Sequence, residues 1–179
     1  MRTRRVCLLA LVGFAIGLLS VPAMAAGQGT TKIDFKLTIG DAASSRIFIK
    51  RDISATSGQL PEVGSKSIND NLAGQTVTLF IGSAGFSGTA DEKGKVTTPF
   101  TAKITGNGKG LQIKATGLNL EQLLPVDPTD GDHQVTVQIK VTASRTDAAT
   151  GQVTEVVLSD ASETLFYKAK KGKVKGKNF

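Results

Sequence analysis

The chain has 179 residues, with 22 lysines and arginines against 15 acids, one histidine, one cysteine and no tryptophan. The single cysteine, Cys7, lies near the start, so residues 26–179 contain no disulfide, no thiol nucleophile and no thiolate metal site. A segment of that length buries the core of one domain without such staples.

The first stretch reads as an export signal. "MRTRR" is a basic start, "VCLLALVGFAIGLLSV" an apolar run, and Ala23-Met24-Ala25 a small-residue cleavage site. Residues 1–25 are therefore expected to form a signal helix removed after Ala25, with 26–30 as a linker. A retained transmembrane anchor fits less well, since the run is short for a bilayer span and holds Gly13 and Gly17. Arg4 and Arg5 resemble a twin-arginine signal. The strongly apolar run favours the general secretory route, so the expected location is periplasmic or secreted, with no membrane span after cleavage.

From residue 31 the pattern is that of strands. In "KIDFKLTI", Ile33, Phe35, Leu37 and Ile39 alternate with polar residues, as in a half-buried antiparallel strand. "SRIFIKRDISAT" alternates on Ile47, Ile49 and Ile53, and "QTVTLFIG" on Val77, Leu79 and Ile81. "AGFSGTADEKGKVTTPFTAKIT" reads as a hairpin about Asp91-Glu92-Lys93-Gly94, with Pro99 marking an edge or bulge. "GNGKG" reads as the turn into "LQIKATG". "GLNLEQLLPV" allows one short helical turn. "HQVTVQIKVTAS" is the clearest strand, with Val135, Val137, Ile139 and Val141 on one face. "QVTEVVLS" returns after a turn at 147–151, but its phase slips between Val153 and Val156, which leaves its buried face open. "ETLFYKA" closes the expected domain, 31–167. Residues 58–75 lack periodicity and read as a long loop that is a candidate for binding.

About nine strands without a crossover helix point to an all-β, antiparallel, immunoglobulin-like β-sandwich, with a small closed β-barrel as the alternative. "LAGQTVTLFIG", the "GKV" after "DEK", "GLQIKATG" and the lysine-rich close resemble all-β domains of exported bacterial proteins over residues 31–177. That resemblance implies export and a β-sandwich and brings no catalytic residues.

Chemistry is sparse. His133 is the one histidine, and "GSAGFSG" has the wrong spacing for a nucleophile elbow, so a hydrolase acting on envelope polysaccharide is a remote alternative. "VDPTDGDH" sets Asp127, Asp130 and Asp132 in one loop, the one calcium candidate, and with it a calcium-dependent adhesion or carbohydrate-binding module. Those residues are equally ordinary turn formers.

Charge is concentrated at the ends. Of the 22 cations, three fall in the first 25 residues and six from Lys168 onward; the remaining 13 face all 15 acids, so the body is mildly acidic. The close, "KAKKGKVKGKNF" (168–179), is expected to be a flexible, disordered basic tail. Lys168, Lys170, Lys171, Lys173, Lys175 and Lys177 are its candidate polyanion-binding residues. Lys173, Lys175 and Lys177 would share a face with Phe179, which argues against the last strand of a membrane barrel. With export expected, the natural partners are anionic envelope polymers or another envelope protein, and not nucleic acid. The reading is thus an exported, non-enzymatic domain with a binding or structural role.

Overall fold

The computed structural model describes residues 30–53, 72–105 and 109–178. The expected signal peptide, almost all of the expected linker, most of the 58–75 loop and the first three residues of "GNGKG" lie outside them. Nine strands are described: β1 (Thr31–Thr38), β2 (Asp41–Asp52), β3 (Thr76–Ile81), β4 (Ala84–Thr89), β5 (Thr101–Thr105), β6 (Gly110–Thr116), β7 (Gly131–Thr146), β8 (Val153–Lys170) and β9 (Lys173–Lys177). One helical turn, α1 (Leu120–Leu123), precedes β7.

All nine strands join one antiparallel sheet, in the order β4-β3-β7-β8-β9-β1-β2-β6-β5. The all-β class stands: the strands form one continuous sheet, curled like a half-barrel around its buried face. The C-terminal segment makes that sheet continuous. Far from being a disordered tail, residues 168–178 complete β8, turn at Lys171-Gly172 and run back as β9. β9 pairs with β8 on one side and with β1 on the other, zipping two four-stranded arms into one sheet. Without it the same strands would fall into two separate sheets.

The predicted alternation holds along the core strands. Ile33, Phe35 and Leu37 of β1, Ile47 and Ile49 of β2, Val77, Leu79 and Ile81 of β3, and Val135 to Val141 of β7 all enter one hydrophobic cluster. The slipped phase near Val156 has a local explanation. The β7–β8 register shifts between Val141 and Thr142, where Leu158 is the extra residue on β8. A bulge of this kind turns successive residues to the same side, and Leu158 and Ser159 are both fully buried.

The expected hairpin about 91–94 is corrected. The turn itself forms: Gly94 has φ +70° and the Asp91 carboxylate accepts the Lys93 and Lys95 amides, each at 2.9 Å. The strands it joins do not pair. Among the described strands β4 bonds only to β3 and β5 only to β6, so the turn links opposite edges of the sheet. The segment between carries one bridge, Val96 to Ala102, and packs on Gly88 of β4. This brings the two edges towards each other and accounts for the curl.

One end of the curl is plugged by α1, whose first residue Leu120 is fully buried, as is Leu124 just beyond it, while Glu121 accepts the Gly40 amide of the β1–β2 turn at 2.8 Å. Near the other end, Asn178 acts as a clamp. Its side-chain oxygen accepts the Ile33 amide at 2.8 Å, and its amide nitrogen donates to the Thr31 carbonyl at 2.9 Å and to Glu163 at 3.0 Å. Beside it, the buried Arg51 donates to the Thr31 hydroxyl.

β9 is thin on its inner side for a steric reason. A Cβ on Gly176 would collide with the Phe35 ring and the Tyr167 Cβ, so the two aromatic rings, 6.1 Å apart and edge-on, fill the space that a side chain would take. Gly176→Val is expected to destabilise the fold by about 3 kcal/mol, the upper range for overpacking a core, read as a lower midpoint in urea.

Candidate functional site: a cationic sheet face

The outward residues of the half-buried strands are polar by the same alternation that builds the core. On the β3–β7 side they are largely threonine and serine: Thr78 meets Ser87 at 2.9 Å, and Thr136 meets Thr164 at 3.3 Å. On the β8-β9-β1-β2-β6 side lysine is the commonest of them. Register makes them into rows that cross the strands.

One row runs Lys168 (β8), Lys175 (β9), Lys36 (β1) and Arg46 (β2), each directly opposite the next. All four are exposed. At about 4.8 Å per strand the row is roughly 14 Å long. Two further like-charged pairs flank it, Lys170 with Lys173 and Lys32 with Lys50. A second row runs Phe166 (β8), Lys177 (β9), Asp34 (β1), Phe48 (β2) and Lys114 (β6). Phe166 is 63% exposed and Phe48 38%, the two aromatic rings among the exposed large hydrophobics.

The surface is grooved. A hollow of about 600 Å³ is lined by Phe166, Lys168, Lys175, Lys177, Asp34 and Asp132, among others. A second, of about 380 Å³, is lined by Asp34, Arg46, Ile47, Phe48 and Lys114. Asp34 is common to both.

Five of the six candidate polyanion-binding lysines, Lys168, Lys170, Lys173, Lys175 and Lys177, belong to this face; Lys171 sits in the β8–β9 turn, its amide donating to Asp130 at 2.8 Å. Sequence reasoning missed Lys32, Lys36, Arg46, Lys50, Lys114, Phe48 and Phe166. The signal that could have found them was the period-2 pattern itself, which already put these cations on the outer faces of their strands.

The candidate calcium residues are directed to separate partners. Asp127 accepts the amide and hydroxyl of Thr129 at 2.9 and 2.7 Å, Asp130 accepts Lys171, and Asp132 lies 3.9 Å from the Lys168 ammonium on the sheet face. Among the described residues no group of three or more histidine, cysteine or acidic side chains converges as a metal would require. His133 locks this loop. Its Nε2 lies 2.8 Å from the Thr129 carbonyl, its ring stacks on Tyr167 at 5.3 Å, and the Tyr167 hydroxyl accepts the Asp127 amide at 2.7 Å.

Two turn aspartates titrate low. The Thr129 hydroxyl and amide hold the Asp127 carboxyl below its usual range, and the Thr150 amide and hydroxyl, with the Ala149 amide, do the same for Asp147 in the β7–β8 turn. A depressed folded-state pKa adds stability that is present above the unfolded value and lost as pH falls through the folded one. Melting temperature is therefore expected to fall on acidification below the ordinary carboxylate range. In Asp147→Ala it should start lower at neutral pH and fall less steeply.

The chain matches no family model, no curated protein and no solved structure.

Proposed function

We propose that this is an exported, non-enzymatic β-domain of the cell envelope or extracellular space that holds an anionic polymer or surface against its lysine-rich sheet face. One observation carries the reading: like charges stand directly opposite one another across four neighbouring strands, Lys168, Lys175, Lys36 and Arg46. Such pairs destabilise a sheet, and a face that had only to stay soluble would interleave signs. An anionic partner reverses that cost, because each neutralised cation then contributes attraction.

The export signal read in the sequence supports a setting in which the available anions are acidic polysaccharides, wall polymers and lipid headgroups. In this reading the scaffold serves as a rigid platform, the two arms of the sheet taking the part of the two layers of an immunoglobulin-like sandwich. The test is retention of the purified protein on isolated cell envelope across a salt series. Retention at low salt that is released as salt rises supports the reading; no retention at low salt overturns it.

A further inference from the structure

Building on the anion-binding reading, we infer that the occupant of this face is a linear acidic polysaccharide lying across the strands, with sugar rings stacked on Phe166 and Phe48. Three features of the second row lead there. The two exposed phenylalanines each stand in a hollow, and the two hollows meet at Asp34. Cations flank each ring: Lys168, Lys175 and Lys177 around Phe166, Arg46 and Lys114 around Phe48. A carboxylate, Asp34, sits between them.

A pyranose acid asks for that combination. Its C–H face packs on an aromatic ring, its carboxylate takes lysine or arginine, and its hydroxyls donate to carboxylate or amide oxygens. Asp34, with Asp132 and Gln134 at the rim of the larger hollow, supplies those acceptors.

The same residues disfavour the other anions. A bilayer carrying anionic lipid would be attracted by the lysines and repelled by a carboxylate at the centre of the face. Single strands of nucleic acid stack successive bases on aromatics, whereas Phe166 and Phe48 are three strands apart, roughly 14 Å, with Lys177 and Asp34 between. A polymer crossing the strands meets phenylalanine, cation, carboxylate and phenylalanine in turn, while the adjacent row Lys168-Lys175-Lys36-Arg46 runs parallel to it and takes its acid groups.

The test measures affinity of the purified protein for polygalacturonate, for uncharged dextran, for phosphatidylglycerol vesicles and for single-stranded poly(dT) over a salt series. Polygalacturonate is expected to bind most tightly and dextran weakly. Phe166→Ala and Phe48→Ala should each weaken polygalacturonate binding about tenfold, the size of one stacking interaction, without changing the salt slope. The tyrosine replacements, which keep the ring, should restore it. Asp34→Ala is the decisive variant. It removes a negative charge, so it tightens binding if the face reads only charge, and weakens binding if Asp34 accepts hydroxyls.

Tighter binding by Asp34→Ala, or phenylalanine variants without effect while their tyrosine counterparts also match the parent, would overturn the polysaccharide assignment and leave the anion-binding reading in place. Preference for vesicles or poly(dT) would do the same. If none of the three anions binds at low salt, it is the anion-binding reading that fails.

Discussion

A chain stopped after Tyr167 is expected to lose cooperative folding altogether. That cut removes β9 and the end of β8, and among the described residues β9 is the strand that joins the β4-β3-β7-β8 arm to the β1-β2-β6-β5 arm. Residues Asp34 to Thr38 of β1 lose the ladder to β9, and Val174, fully buried, leaves the core with the glycine strip that seats Phe35 against Tyr167. The cost, spread over a ladder on both sides and an uncovered core, is comparable to the whole stability of a domain, about 5–15 kcal/mol. The measurement is a thermal melt followed by far-ultraviolet circular dichroism, with limited proteolysis alongside. A sharp transition near that of the full chain would mean that β9 is dispensable. A chain stopped after Lys177 keeps the strand and, among the described residues, loses only the Asn178 clamp, for which about 1–3 kcal/mol is expected.

Neutralising the first cationic row is expected to weaken anion binding and stabilise the fold at once. Lys168, Lys175, Lys36 and Arg46 replaced together by glutamine remove four charges, each worth about 1 kcal/mol near an anionic surface, so affinity at low salt should fall about a thousandfold. The slope of log affinity against log salt should flatten in proportion to the number of cations that no longer displace counterions from the polymer. Meanwhile three directly opposed like-charge pairs disappear, and the melting temperature should rise by a few degrees. Opposite signs for binding and stability are what distinguish a working surface from a merely solvated one. Unchanged affinity would remove these cations from the binding surface, and a lower melting temperature beside it would assign them a structural role instead.

The lysine-rich end shows how a correct local pattern can point to a wrong expectation. In "KVKGK" the lysines alternate strictly with Val174 and Gly176, which is the period of a strand. Its inner face carries one valine and a glycine, too little apolar surface to declare a strand, because the filling is supplied by Phe35 and Tyr167 from its two neighbours. A strand whose inner face is filled by its neighbours' side chains shows the period of a strand without the apolar face that marks a buried one. The 91–94 turn went the other way: its chemistry was legible and correct, but a turn does not specify which strands pair beyond it.

By itself the sequence determined the all-β class, the core residues of most strands, the turns at 91–94 and 147–151 and the short α1. These follow from alternation and turn chemistry, which act within a few residues of chain. Only the tertiary structure decided that the strands form one curled sheet, that the final lysines are its seam, and that cations scattered from Lys32 to Lys177 stand in rows beside Phe48 and Phe166. Strand order and register join residues more than a hundred positions apart, and charge summed along the chain cannot show what charge gathered on one face does.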